Sequence, residues 1–120
     1  MDIRSYKTWI LVIYVCSIFY LSINSFIFFK NQWKYDVYIH FIEYFILGYL
    51  YVNALNLKSS FSDPKLILFF ILLFACIDES VQYFTPNRIA SIKDVTIDVI
   101  GGMAGVFLFN LSKLINNNAK

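Results

Sequence analysis

The sequence predicts an all-α membrane protein, a bundle of four transmembrane helices joined by short loops. Of its 120 residues, 59% are hydrophobic, whereas soluble domains average about 45–50% apolar residues. Four stretches approach the roughly 20 apolar residues that a helix needs to cross a hydrocarbon core about 30 Å thick. From the length we expect one transmembrane domain, residues 1–120, without a separate soluble domain.

The first two predicted helices cover residues 9–29 and 37–57. The first follows a basic start, but it is longer than the apolar region of a signal peptide. No A-x-A-like cleavage site follows it, so we expect a retained helix. The second is apolar apart from His40, Glu43 and two asparagines.

The last two predicted helices cover residues 64–82 and 93–115. The third begins with Pro64, whose missing backbone N–H costs nothing in the first turn of a helix. Cys16 and Cys76 each lie inside an apolar stretch. That placement is typical of packing residues rather than of a disulfide or a metal site.

The basic residues favour a cytoplasmic location of both chain ends. In this orientation six basic residues lie inside and four outside, as the positive-inside rule expects. The inner set is Arg4, Lys7, Lys58, Lys65, Lys113 and Lys120, and the outer set is Lys30, Lys34, Arg88 and Lys93. The net charge of +2, without a basic patch, gives no indication of nucleic-acid binding.

The unusual polar residues of the helices are predicted to lie near one membrane face. In a four-helix bundle the first and third loops lie on the same side, whichever way the chain is oriented. With both chain ends inside, this side is the outer face, and the opposite face carries almost no such residues. The candidate binding site consists of His40, Glu43, Tyr44, Asp78, Glu79, Gln82, Arg88, Ser91, Asp94 and Asp98.

Helical spacing places several of these residues on shared faces. His40, Glu43 and Tyr44 follow a three-four spacing on the second helix, and Asp78 and Gln82 lie four residues apart on the third.

On the fourth helix the acids share a face with two glycines. Asp94 and Asp98 continue into Gly101 and Gly105 at steps of three or four residues. Together with Gly48 on the second helix, these glycines predict close helix–helix packing.

Burial of the acids requires compensation. An ionisable group in the middle of a membrane helix costs about 2.5–3.5 kcal/mol or more. The acids therefore need protons, water, a cation, or a partner such as Arg88, Lys93 or His40. Arg88 is the expected centre, because its guanidinium can bind a carboxylate through two hydrogen bonds and keep donors for a phosphate. A purely structural alternative is a clasp in which Asp78, Gln82 and Arg88 tie the third loop to the helix ends.

Two sequence blocks resemble the VanZ-like family of small bacterial membrane proteins. Residues 36–48, "DVYIHFIEYFILG", are similar to the family pattern D-K-x-x-H-F-x-x-Y-x-x-L-G. Residues 78–101, "DESVQYFTPNRIASIKDVTIDVIG", are similar to D-E-x-x-Q-x-F-x-P-x-R-x-x-S-x-x-D-x-x-x-N-x-x-G. The second block is long and chemically varied, and the resemblance covers three of the four predicted helices.

The chain departs from the family pattern at two positions. Val37 stands where the family usually has Lys, and Asp98 stands where it usually has Asn. The first change removes a base and the second adds an acid. We therefore expect a site that is more anionic here, or one that holds an additional proton.

The resemblance implies resistance to teicoplanin-type lipoglycopeptide antibiotics, without remodelling of the cell-wall precursor. The expected location is the bacterial cell membrane, with several membrane crossings. The expected partners are membrane lipid and a lipid-tailed antibiotic or a lipid-linked wall precursor. No cofactor is predicted, although a divalent cation at the carboxylate cluster stays open, as does the oligomeric state.

Three functions remain open at the level of sequence. The first is a non-enzymatic protein that binds a lipid-bearing molecule at the outer face. The second is an intramembrane enzyme that acts on a lipid-linked precursor through acid–base carboxylates, although no serine stands beside a base motif. The third is an ion-coupled transporter, which the confinement of the acids to one face disfavours.

Overall fold

The computed structural model describes residues 3–28, 35–55, 63–86 and 88–119. These residues form four α-helices and no β-strand: α1 (Ile3–Phe28), α2 (Asp36–Leu55), α3 (Pro64–Tyr83) and α4 (Ile92–Asn118). The all-α prediction is therefore confirmed. The predicted helix ends at residues 29 and 57, and most of the first two predicted loops, lie outside the described residues.

Two predicted helix boundaries were wrong. Helix α1 begins six residues earlier than residue 9, and α4 continues three residues beyond residue 115. Hydropathy marks only the part of a helix that suits the bilayer. The backbone hydrogen bonding of a helix continues past that part into water.

Three of the described helices are long and apolar enough to cross a membrane, namely Ser5–Asn24, Pro64–Tyr83 and Ile92–Asn118. Helix α2 does not belong to this set. It carries His40 and Glu43 together with several tyrosines, which lower its hydropathy. Its buried stripe runs along the whole helix, from His40 to Ala54, so much of its surface packs against protein.

The ends of α3 and α4 follow ordinary capping rules. The Asp63 side chain accepts a hydrogen bond from the Lys65 backbone N–H at 2.9 Å, and Pro64 occupies the first turn. The Ser91 side chain accepts from the Lys93 backbone N–H at 3.2 Å. The Ser91 cap determines where the α3–α4 connection, which carries Arg88, ends and α4 begins.

Helices α2 and α4 form the most extensive contact of the bundle. A Cβ added at Gly48 would collide with the backbone of Gly102, and one added at Gly105 would collide with the backbone of Phe45. A Cβ added at Gly101 would also collide with the backbone of Phe41. The three glycines predicted for helix packing therefore lie where two helix backbones approach each other.

Helix α1 packs against α2 and α3. The apolar core lies between the helices and contains Ile18, Tyr44, Leu47, Tyr51, Val52, Ile67, Ile71, Ala75 and Val106. This core holds α2, α3 and α4 in a common arrangement, so the polar residues at their ends meet at one end of the bundle.

Candidate functional site

Buried polar side chains from three helices meet at one end of the bundle. Helix α2 contributes His40, α4 contributes Asp98, and α3 contributes three residues, Asp78, Glu79 and Gln82. Each of them is at most 6% exposed. We call these five residues the polar cluster.

His40 and Asp98 form the innermost contact of the polar cluster. The His40 Nδ1 atom lies 2.9 Å from Asp98 Oδ1, and the two residues are 1% and 0% exposed. On the other side of the ring, Nε2 lies 3.5 Å from an Arg88 nitrogen. Because a guanidinium only donates hydrogen bonds, the tautomer that suits both neighbours carries its proton on Nδ1 and donates it to Asp98.

Arg88 bridges α2 and α3 from the connection before α4. Its Nη1 donates to Asp36 Oδ1 at 2.9 Å, and its Nη2 donates to Gln82 Oε1 at 2.6 Å. The guanidinium does not bind one carboxylate through two hydrogen bonds here, because the two nitrogens take different partners. The Arg88 side chain is still 19% exposed, and a guanidinium has five N–H donors.

Asp36 lies at the site but is not among the candidate residues predicted from the sequence. Besides its ion pair with Arg88, its Oδ1 lies 3.9 Å from His40 Nε2. A signal was present in the sequence, because Asp36 opens the first family block and lies four residues before His40. Its position at a helix start is also typical of a solvated acid.

Ser22 of α1 is the second omitted residue. Its hydroxyl donates to Asp78 Oδ1, while Gln82 Nε2 donates to Asp78 Oδ2 at 3.2 Å. A serine in an apolar helix gives no distinct signal, since it commonly bonds to its own backbone. Asp78, Gln82 and Arg88 thus form the clasp considered above, and Ser22 ties α1 to it.

Glu79 links α3 to the start of α4. Its Oε1 accepts from the Ser91 backbone N–H, whereas Oε2 is buried without a hydrogen-bond partner among the described residues. The Ser91 hydroxyl caps α4 and makes no described contact with the polar cluster. Ser91 is therefore a capping residue in this fold.

The remaining candidates take different positions. Tyr44 is 1% exposed and belongs to the apolar core. The helix face that carries His40 at the site therefore already faces the core at Tyr44, about one helical turn later. Glu43 is half-buried at a small cavity, and its backbone carbonyl accepts a hydrogen bond from the Tyr14 hydroxyl at 2.9 Å. Asp94 is half-buried, with a carboxylate oxygen within 4.8 Å of Asp36 and His40 ligand atoms.

Two cavities adjoin the polar cluster. The smaller, about 20 Å³, has room for about one water-sized group and is lined by Leu21, Ser22, Asp36, Ile39, His40, Glu43, Gln82 and Arg88. The larger is a mostly apolar groove of about 370 Å³ between α3 and the start of α4, lined by Cys76, Glu79, Ser80, Tyr83, Phe84, Ala90 and Val95. Glu79 lies in the wall of this groove, which we call the α3–α4 groove.

The opposite end of the bundle is more polar than expected. A groove of about 320 Å³ between α1, α2 and α4 is lined by Lys7, Tyr49, Asn53, Phe109, Ser112, Lys113 and Asn116. Sequence reasoning missed it because its members are far apart in the chain and lie in three different helices.

Apolar helices around a buried polar cluster define a helical membrane protein with an embedded polar site. The chain belongs to the VanZ/LLP1 family, whose family profile matches residues 18–113. The resemblance predicted from the two sequence blocks is thereby confirmed, and the matched range contains the whole polar cluster. Neither the curated proteins nor the solved structures gave a significant match.

Proposed function

We propose that this protein binds a lipid-bearing molecule at the outer face of the bacterial cell membrane and thereby confers resistance to teicoplanin-type antibiotics. The bound molecule is the lipid-tailed antibiotic itself or a lipid-linked wall precursor. In this proposal all four helices cross the membrane, with both chain ends inside. Arg88 holds the anionic or polar part of the ligand, and the α3–α4 groove holds part of its acyl chain.

The observation that carries the proposal is the position of Arg88. Its guanidinium is held by Asp36 and Gln82, so it is oriented before any ligand arrives. It is also partly exposed and lines the small cavity beside His40. A pre-oriented guanidinium with spare donors suits a carboxylate or phosphate, and a fixed side chain loses little entropy on binding.

The α3–α4 groove supports a ligand with an acyl chain. Its wall combines the apolar side chains Tyr83, Phe84 and Val95 with Glu79, whose Oε2 is a hydrogen-bond acceptor without a described partner. An acyl chain fits an apolar groove on a helix surface that faces lipid. A hydroxyl or amide N–H at the head of that chain would satisfy the Glu79 oxygen.

Growth inhibition by teicoplanin and by vancomycin tests the proposal in a susceptible Gram-positive host. The strains carry the native chain, Arg88→Gln, Lys93→Gln or an empty vector, with equal amounts of protein in the membrane. Lys93 is the matched control, because it is exposed and its described hydrogen bond is made by its backbone N–H, which donates to the Ser91 side chain. We expect the native chain and Lys93→Gln to raise the inhibitory concentration of teicoplanin at least fourfold, and Arg88→Gln to lose that increase.

Vancomycin separates recognition of the lipid tail from a general effect on the cell wall. Vancomycin lacks the acyl chain that would fill the α3–α4 groove. If the antibiotic itself is the bound molecule, the inhibitory concentration of vancomycin should therefore be the same in all four strains. Equal protection against teicoplanin by the native chain and Arg88→Gln would contradict the proposal.

One observation favours an enzymatic function as the second candidate. His40 is buried and oriented by a carboxylate through the 2.9 Å contact between its Nδ1 and Asp98 Oδ1, an arrangement that suits a general base. Incubation of the purified protein with a lipid-linked wall precursor would distinguish the two functions. An enzyme would yield a new product by mass spectrometry, and His40→Gln would abolish it; a binding protein would leave the precursor intact.

A further inference from the structure

We infer that His40, Asp78 and Asp98 bind a divalent transition-metal ion inside the bundle. This goes beyond the proposed function and does not depend on it. Each residue comes from a different helix, and one ligand atom from each lies within 4.8 Å of the ligand atoms of the other two. All three side chains are buried, unlike the exposed acidic groups that often cluster without an ion.

The distances suit one shared ion. Zinc or manganese binds nitrogen and oxygen at about 2.0–2.2 Å, which places neighbouring tetrahedral ligand atoms about 3.4 Å apart. His40 Nδ1 and Asp98 Oδ1 are 2.9 Å apart. Movements of less than about 1 Å per side chain would therefore complete a three-ligand site.

An unsatisfied oxygen points to the same position. Asp98 is 0% exposed, and its Oδ2 has no hydrogen-bond partner among the described residues. Buried polar atoms nearly always have a partner, and an exception calls for a bound water or ion. An ion held by Asp98 would satisfy this oxygen and its negative charge together.

The charges around the polar cluster favour a cation. The acids of this end of the bundle are Asp36, Glu43, Asp78, Glu79, Asp94 and Asp98. In the described part of the chain Arg88 pairs with Asp36, and neither Asp78 nor Asp98 forms an ion pair with a lysine or an arginine. A divalent ion between Asp78 and Asp98 would neutralise both carboxylates where no guanidinium or ammonium does.

A second set of possible ligands fits less well. Asp36, His40 and Asp94 also lie within 4.8 Å of one another, but Arg88 donates to Asp36 and lies beside His40 Nε2. A cation there would face a guanidinium. Once Nδ1 binds the metal, Nε2 carries the proton and no longer accepts from Arg88. A closer approach of Asp36 Oδ1, which lies 3.9 Å from Nε2, would then accept that proton, the usual support of a histidine ligand.

The ligand types select the kind of metal. One imidazole and two carboxylates suit Zn²⁺, Mn²⁺ or Fe²⁺ better than Ca²⁺ or Mg²⁺, which prefer oxygen ligands alone. The small cavity beside His40 and Ser22 has room for one water-sized group. A water molecule there could complete the coordination of the ion.

Metal binding by the purified full-length chain in detergent tests the inference. After treatment with EDTA and dialysis, the protein is titrated with ZnSO₄ or MnCl₂, and bound metal is measured by calorimetry and elemental mass spectrometry. We expect one ion per native chain. Asp98→Asn should weaken binding at least tenfold, whereas Asp94→Asn, which removes a ligand of the second set only, should leave the affinity unchanged.

Asp98→Asn and Asp78→Asn each remove one ligand, and Asn keeps the size of Asp. Helix content, measured by circular dichroism, shows whether each variant is folded. The melting temperature should rise with the metal in the native chain and in Asp94→Asn, and not in folded Asp98→Asn or Asp78→Asn. A folded native chain that binds neither metal would overturn the inference. So would equal affinity of the native chain and Asp98→Asn.

Discussion

His40 lies between the buried acid Asp98 and the Arg88–Asp36 ion pair. One ring nitrogen faces Asp98, and the other faces Arg88 and Asp36. The imidazole therefore separates an inner acid from an outer ion pair. Any ligand that displaces the Arg88–Asp36 contact would change the partner of Nε2, and through the tautomer it would change the proton on Nδ1. This coupling links the exposed part of the site to its buried part.

Ser22 is the residue whose removal should reveal how α1 is held. Ser22→Ala removes the donor to Asp78 Oδ1 and leaves that buried oxygen without this bond, so we expect a loss of about 1–3 kcal/mol in the free energy of unfolding. Ser80→Ala is the matched control, because the Ser80 hydroxyl is exposed, and its hydrogen bond among the described residues is to the Cys76 carbonyl of its own helix, at 2.6 Å.

Unfolding in detergent micelles, followed by circular dichroism, measures both serine variants. The control should change stability by no more than about 0.5 kcal/mol. Equal stability of Ser22→Ala and Ser80→Ala would show that the hydrogen bond from Ser22 to Asp78 does not stabilise the position of α1.

At the scale of the helices, the α2–α4 interface sets the geometry of the site. His40 and Asp98 lie on these two helices, one to two turns from the glycines where the backbones approach most closely. A change in the separation of α2 and α4 would therefore act directly on the 2.9 Å contact between His40 and Asp98.

Two glycines of α4 should respond differently to replacement by alanine. A Cβ at Gly105 would meet the backbone of Phe45 and Tyr49, which cannot yield without separating the helices. A Cβ at Gly102 would meet the side chain of Ile71, 2.7 Å away, which can shift. We expect Gly105→Ala to lower the free energy of unfolding by about 1–3 kcal/mol, and Gly102→Ala by clearly less.

Both substitutions gain the same helix propensity, about 1 kcal/mol, so the difference between them compares a collision with backbone to a collision with a side chain. Thermal unfolding in detergent measures this difference. A larger loss for Gly102→Ala would show that the tight contact of the bundle is with α3 instead.

At the scale of the whole molecule, the open question is whether α2 crosses the membrane. Its 20 residues span about 30 Å, enough for a hydrocarbon core. Its lower hydropathy comes partly from His40, Tyr44 and Tyr51, which are buried in the bundle. Polar and amphipathic residues that face protein rather than lipid do not oppose insertion as strongly as their hydropathy suggests, so we predict four crossings.

Reporter fusions test this prediction directly. With four crossings and a cytoplasmic N-terminus, a fluorescent protein at either chain end should fluoresce, and alkaline phosphatase at either end should be inactive. Chain ends on opposite sides would mean an odd number of crossings and would exclude α2 or another helix as a span. Both ends outside would place the polar cluster at the cytoplasmic face and contradict the proposed outer-face site.

The sequence by itself determined the class, the helices and the end of the bundle at which the acids meet. Hydrophobic length decides which stretches suit a bilayer, and helical periodicity decides which residues of one helix share a face. These are properties of a single segment and its solvent. For the same reason the family could be predicted from two contiguous blocks, residues 36–48 and 78–101.

Only the tertiary structure decided which side chains of different helices contact one another. These contacts depend on how each helix is rotated against its neighbours. They include the hydrogen bonds of Arg88 to Asp36 and Gln82, the hydrogen bond of Ser22 to Asp78, and the place of Tyr44 in the core. Rotation is set by close packing between helices, such as the backbone approach at Gly48 and Gly105. Periodicity within one helix contains no information about it, because every rotation preserves the same stripe.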